Sequence, residues 1–345
     1  GTAVVGTVSG TSISFGTPEV FESATIFYTS AAFDSNSNKV VIAYRDAGNS
    51  DYGTAIVGTV SGTSISFGSA AVFETANSIY FSATFDSSNN KVVIAYQDYG
   101  NSQYGTAVVG TVSGTSISFG TPVVFNSTRC SFNSATFDSN LNKVVIAFQD
   151  SNNSDRGAAV VGTVSGTSIS FGSPVVFESD GVSYTFATFD SNLNKVVIAY
   201  QNNDNSNYGT FVVGTVSGTS ISFGSATVFE SADSRYISAT FDSSNNKVVI
   251  AYRDNGNSNY GTAVVLQLAS TNLTSENFIG FSDGAFADGQ SAVINTANTI
   301  DRNQSSLTAG QTLYVQTDGT LSETADDPSV TAGTAISATE IIVKG

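Results

Sequence analysis

The 345-residue chain has no histidine, no tryptophan, no methionine, one cysteine and four prolines. Without histidine there is no Ser-His-Asp or Cys-His pair, and the commonest transition-metal ligand is missing. The single cysteine, Cys130, excludes an intramolecular disulfide, and it reads as an incidental thiol rather than a nucleophile. Positive charge is scarce: 12 Lys and Arg stand against 28 Asp and Glu, a net charge of −16. That balance repels nucleic acid and anionic membranes, and neither is expected as a partner. No apolar run reaches the ~20 residues that insertion across a membrane needs. No signal peptide is visible and the sequence starts at Gly rather than Met, so a processed chain or a fragment of a longer one is expected.

What remains is 40% hydrophobic and drawn from Val, Ile, Phe, Tyr and Ala, set between clusters of Gly, Ser, Thr and Asn. Such a mixture specifies an all-β protein with many turns. The stretch VGTVSGTSISFG begins at Val5 and returns unchanged at Val57, Val109, Val161 and Val213, a period of 52. Fixed periods of this size mark propellers, solenoids and arrays.

Each repeat holds four strand-like segments. In one of them these are Ser82 to Asp86, Lys91 to Asp98, Gly105 to Val112 and Thr115 to Phe125. The first is short and built of small residues, as a crowded axis requires. The second is continuously apolar, as a strand covered on both faces would be. The last alternates, as an outer strand does. Four antiparallel strands repeated around a circle make a β-propeller. The expectation is about five blades over residues 1–268, with N- and C-terminal strands closing the ring. An open β-solenoid or fibrous β array is the alternative. The count is 21 strands, one too many for five four-stranded blades, so closure would displace either Gly1–Val8 or Gly261–Leu268. Residues 269–345 leave the repeat and form a small β-domain. Its strands are expected at Phe278 to Asp283, Ser291 to Thr296, Thr312 to Gln316 and Glu340 to Lys344, with a hairpin turn at Asp318-Gly319.

The copies differ unevenly. The turns between strands 1 and 2 and between strands 3 and 4 are nearly constant. The 2–3 loop and the 4–1 connection vary, and antiparallel geometry puts both at one end of the blades. Five of the six arginines lie in these variable segments: Arg45, Arg129, Arg156, Arg235 and Arg253. So do Tyr28, Tyr80, Tyr99, Tyr184 and Tyr236. Tyr and Arg are favoured at recognition surfaces, and loops on a rigid scaffold are where binding concentrates. These ten residues are the candidate ligand-binding set. Free drift of surface loops is the competing explanation.

The constant FDS turns carry Asp34, Asp86, Asp138, Asp190 and Asp242, which read as Asx turns with a balancing lysine nearby. Two variable loops offer better oxygen clusters for calcium, through Asp46 with Asp51 and Asp150 with Asp155. No other cofactor is implied. A sialidase-type Ser-x-Asp-x-Gly-x-Thr-Trp box is absent, and the chain is read as a non-enzyme.

Two stretches carry a family resemblance. Tyr236 to Val265 and Gly162 to Ser179 resemble repeats in tail-fibre and virion structural proteins of marine bacteriophages. Asn272 to Ile294 with Ser305 to Gly345, including the phrase LTAGQTLYVQTDGTLS, resembles a C-terminal module of such proteins. The resemblance implies an extracellular location on the virion surface and contact with other fibre proteins. It also implies a host cell-surface receptor, expected to be a glycan, as ligand. A structural spacer or decoration role is the alternative, and a polysaccharide-degrading enzyme ranks last. Fibre proteins are often trimers, so a homo-oligomer is in keeping with the resemblance, although no coiled-coil heptads enforce one.

Overall fold

The computed structural model describes residues 1–268, 278–284, 291, 293–315, 320–325 and 330–344. The chain divides into two compact units, Gly1–Leu268 and Ala269–Gly345.

Within the first unit the repeat folds as its pattern dictates. The second strand, Lys91–Asp98, is buried on both faces, because alternate Val, Ile, Ala and Tyr side chains meet neighbouring blades on either side. It pairs with the inner strand on one side and with Tyr104–Ser113 on the other. The outer strand begins at Ser116–Phe119, where Ile117 is buried and the flanking serines are exposed. The turn into it puts Gly114 at φ +62, as a two-residue II′ hairpin requires of its first central residue.

The constant 1–2 turn is an Asx turn. The Asp86 carboxylate accepts from the backbone N–H of Ser88 and Asn89 at 2.9 and 3.0 Å. Asp34, Asp138, Asp190 and Asp242 do the same with the equivalent amides. The lysines beside these turns do something other than balance charge: Lys39, Lys143 and Lys195 donate to Thr59, Thr163 and Thr215 of the third strand, each at 2.8 Å.

Two expectations are corrected. The 4–1 connection is not a loop. Ala71–Asp86 is one uninterrupted 16-residue strand. Its first part pairs with the third strand of one blade and its last part with the second strand of the next. Continuous pairing therefore ties successive blades together. The second correction concerns closure of the ring. Neither Gly6–Ser9 nor Tyr260–Leu266 is displaced; each keeps its own neighbour in sequence as partner. No ladder joins the two segments among the described residues. Local pairing wins because each hairpin is completed at short sequence separation, whereas closure would first break one of them. The array runs from a half-blade through four complete blades to a three-stranded one. The half-blade leaves Val8, Ile13, Phe15 and Val20 exposed, and the last strand leaves Val265 exposed.

One core feature varies by compensation. Tyr96, Tyr200 and Tyr252 donate their hydroxyls to Glu74, Glu178 and Glu230 at 3.1, 3.0 and 2.9 Å. In the repeat where the tyrosine is Phe148, the glutamate is Asn126, which instead donates to Thr128 and the Cys130 sulfur. Burial pushes the Cys130 thiol up to about 12, so it is protonated and inert at neutral pH.

Burial, and the nearby Asp98, hold the Glu74 carboxyl above its ordinary value; burial does the same to Asp98. A raised folded-state value binds protons more tightly folded than unfolded. The stability this contributes is complete below the ordinary carboxylate range and is lost as pH rises through the raised value. Glu74→Gln keeps an acceptor for Tyr96 and removes the titration. The stability difference, variant minus wild type, is expected to grow from pH 4 to pH 7 in urea titrations. A pH-independent difference would show that Glu74 is not desolvated.

In the second unit a five-stranded sheet runs in the spatial order Ile300–Asp301, Ile341–Val343, Val330–Ala335, Thr312–Val315, Leu321–Ser322. Phe281–Ser282 and Ile294–Asn295 form a separate pair. The four expected strands are present in shortened form. Val330–Ala335 was not anticipated, because its small residues VTAGTA carry no strong strand pattern. The Asp318-Gly319 turn lies outside the described residues; Tyr314 and Val315 pair with Ser322 and Leu321 on either side of it.

Candidate functional site, an aromatic ladder on the inner strands

Each inner strand carries a β-bulge near the variable end. Ala95 pairs with Ser82 and Gln97 with Ile79, so Tyr80 and Phe81 together oppose Tyr96. The first bulge residue is left-handed in every repeat. Tyr28, Tyr80, Phe132, Tyr184 and Tyr236 have φ between +51 and +55. Glycine is the usual occupant of such a bulge position. An aromatic residue there costs on the order of 1 kcal/mol of backbone strain, which persists only where the surroundings enforce it. Five repeats accept that strain, and in all five the residue is aromatic.

The consequence is a ladder of rings, one per repeat. Successive centroids from Tyr28 to Tyr236 lie 5.5, 5.1, 5.2 and 5.1 Å apart, with tilts of 47 to 60°. At three of the four steps a serine of the preceding repeat holds neighbouring inner strands together; at the fourth its place is taken by Phe186. Ser30, Ser82 and Ser134 accept from the backbone N–H of Ala83, Ala135 and Ala187 at 2.9, 2.8 and 2.9 Å. These bonds satisfy inner-strand amides that no further strand reaches, and the Tyr184–Tyr236 step keeps the same ring spacing without one. Beside the rings lies a cavity of about 220 Å³, lined by Tyr28, Tyr80, Phe132 and Tyr184 of the ladder and by the next residue of each repeat, including Phe81, Asn133 and Thr185.

The candidate residues separate into three groups. Tyr28, Tyr80, Tyr184 and Tyr236 belong to the ladder, on strands rather than loops. Arg45, Arg253, Tyr99 and Arg129 form its rim. The Arg45 guanidinium lies 4.4 Å from the Phe27 ring and 5.3 Å from that of Tyr28, and Arg253 lies 5.1 Å from that of Tyr236. Tyr99, on a short 3-10 turn, and the exposed Arg129 act electrostatically on Tyr80, whose phenol burial holds above its ordinary value. Arg156 and Arg235 are turned to internal pairs. Arg156 meets Asp150 at 3.1 Å, and Arg235 meets Asp233 at 2.8 Å. Hydrogen bonds from Arg235 hold Asp233 below the usual carboxylate range.

The candidate calcium ligands are engaged within the protein. Asp46 accepts from the Gly48 amide at 3.0 Å, and Asp51 lies 3.4 Å from Arg45. Asp150 accepts from Thr128, Asn153 and Arg156 at 2.6, 2.7 and 3.1 Å. Asp155 sits at φ +56 in the same loop. Among the described residues no group of three acidic or cysteine side chains converges.

Phe132 was missed in the sequence. Inspection of the variable segments for Tyr and Arg passes over a phenylalanine, although comparing the five copies column by column puts an aromatic at that position every time. Asn133 and Thr185 were missed as well, because their column reads Thr29, Phe81, Asn133, Thr185, Ile237 and has no common chemistry.

No family model matches the chain, and no curated protein matches it. Solved structures do resemble it. The BP39L lectin from Burkholderia pseudomallei superposes with a TM-score of 0.55 at 10% identity, covering 73% of this chain and 71% of that one. A mutant of AofleA from Arthrobotrys oligospora gives 0.51 at 10% identity, covering 74% and 73%. Trypanosoma rangeli sialidase gives 0.49 at 12% identity, covering 88% and 57%. At these identities the likeness concerns the fold: the repeat unit shares the all-β, propeller-like blade arrangement.

Proposed function

We propose that the repeat unit is a non-enzymatic glycan-binding module, and that sugar rings stack on the inner-strand aromatic ladder. The observation that carries this reading is the recurrence of a strained left-handed aromatic at the same bulge in all five repeats. The rings pack on one another, yet glycine would hold the bulge with less backbone strain, and we read the recurrence of an aromatic there as selection for ligand contact. Tyrosine has an apolar face for the C–H side of a sugar and a hydroxyl for its rim. Several similar rings in a row suit repeated weak contacts, which add through avidity. The lectin with a related fold supports the ligand class. The cavity lining holds no carboxylate pair of the kind that glycoside hydrolysis uses. A virion-surface location with a host glycan as receptor is part of the proposal and rests on the sequence resemblance.

The test is a glycan array with the intact chain and with Tyr80→Gly and Tyr184→Gly. Glycine adopts φ near +55 without strain, so these variants keep the bulge. Each is expected to weaken glycan binding by about tenfold with the fold retained by circular dichroism, while the lost ring contacts lower thermal stability modestly. Binding is expected to be the same in calcium and in EDTA. Wild-type protein that captures no glycan from any host surface fraction would return the repeats to a spacer role, and released reducing sugar would make the module an enzyme.

A further inference from the structure

Asn133 and Thr185 occupy equivalent positions in adjacent repeats, each one residue past a ladder ring. They are 7% and 5% exposed, and both line the cavity beside Phe132 and Tyr184. Each carries a buried polar atom, Asn133 Oδ1 and Thr185 Oγ1, with no hydrogen-bond partner among the described residues. The Asn133 amide nitrogen is directed to the Tyr80 carbonyl at 3.4 Å, which leaves its oxygen as the acceptor turned elsewhere. A polar atom buried without a partner is destabilising, so two in equivalent positions of adjacent repeats are a costly arrangement for an empty protein. The neighbouring positions of the column are apolar: Phe81 lies on one side of the pair and Ile237 on the other, and both are buried.

This combination has a chemical complement. One acceptor and one hydroxyl, adjacent and flanked by apolar walls, match a secondary amide bearing a methyl group. The amide N–H donates to Asn133 Oδ1, the amide C=O accepts from the Thr185 hydroxyl, and the methyl rests against Phe81 or Ile237. The attached sugar ring then lies on Phe132 and Tyr184. Resting on the glycan-binding reading above, we infer that the ladder cavity selects N-acetylated amino sugars through Asn133 and Thr185. A plain hexose has a hydroxyl in place of the amide nitrogen and nothing beyond it, so the Thr185 hydroxyl stays unmet and the apolar walls stay unfilled. The cavity of about 220 Å³ accommodates an acetamido group together with part of a sugar ring.

The experiment is calorimetric titration of the full chain with N-acetylglucosamine, N-acetylgalactosamine, glucose, galactose and choline, backed by saturation-transfer NMR. The acetamido sugars are expected to bind at least about tenfold tighter than their parent hexoses, with the acetyl methyl receiving the strongest saturation. Thr185→Val is isosteric and removes an unpartnered hydroxyl, so it is expected to fold with equal or greater stability while losing most of that preference. Asn133→Leu is expected to lose the remainder, with hexose binding retained. Equal affinity for acetamido and parent sugars overturns the inference and leaves the glycan reading standing. Acetamido preference that survives in the double variant overturns it too. No sugar binding, or tighter binding of choline than of any sugar, overturns both.

Discussion

Replacing Gly120 by alanine is expected to destabilise the repeat unit by about 3 kcal/mol, whereas the same change at Gly224 is expected to stay within about 0.5 kcal/mol. The two glycines end identical SISFG segments and make the same local bond: Gly120 N–H donates to Val109 O at 2.9 Å and Gly224 N–H to Val213 O at 3.0 Å. Their surroundings differ. A methyl on Gly120 would lie 1.8 Å from the Thr167 carbonyl oxygen and 2.9 Å from its carbon, in the turn of the following blade. Those are backbone atoms, so relief requires moving one blade against the next. Gly16, Gly68 and Gly172 meet Thr63, Thr115 and Thr219 in the same way. Gly224 meets nothing nearer than the Val213 oxygen at 3.9 Å. Urea midpoints of the two alanine variants test the blade packing and the open end of the array together. Comparable destabilisation would mean that a further strand covers Gly224 in solution. A neutral Gly120→Ala would show that successive blades are not packed through this glycine.

The second large effect concerns the Tyr–Glu hydrogen bond of Tyr96, Tyr200 and Tyr252, which Phe148 cannot make. Phe148→Tyr is expected to cost about 1–3 kcal/mol, because the new hydroxyl is buried without the glutamate that receives it elsewhere. Phe148 is fully buried, and Asn126, which stands in the glutamate's place, is engaged with Thr128 and Cys130. Asn126→Glu alone is expected to be destabilising as well. It removes the donor that Asn126 offers to Thr128 and Cys130, and it adds a carboxylate near Asp150. Introduced together, the two changes rebuild the arrangement of Tyr96 with Glu74. The double variant should therefore be more stable than the sum of the single effects by about 1–3 kcal/mol. Simple additivity would show that the two positions are not coupled, and that their joint departure from the other repeats is coincidence.

Much of this fold was legible from pattern. The apolar run Lys91–Asp98 had to be covered on both faces, and it is. Ser116–Phe119 had to be an outer strand with one wet face, and Gly114 had to be left-handed for its hairpin to close. Aspartates at the constant turns had to bind nearby amides. Each of these depends on contacts within a few residues or on which side of a strand is apolar, and sequence order records both. The site was legible only in outline. The sequence located the variable end of the blades and four of the five rings, but it assigned those rings to a loop. It gave no sign that Tyr28 to Tyr236 sit at a strained bulge, because the sign of φ at an aromatic residue is imposed by pairing on both sides and not by the residue. It singled out Arg156 and Arg235, and it did not show that they pair with Asp150 and Asp233.

By itself, then, the sequence determined an all-β repeat with four strands per unit, the turns of that unit and the end at which its copies diverge. Tertiary structure alone decided that the diverging segments are continuous strands, that one ring per repeat joins a ladder about 5 Å apart, and that the terminal strands leave the array open. The physical reason is range. Apolar periodicity and turn chemistry act between neighbours in the chain. Ring-to-ring approach, blade packing at Gly120 and the placing of Asn133 beside Thr185 on the cavity wall act between residues about one full repeat apart, where no local pattern reports them.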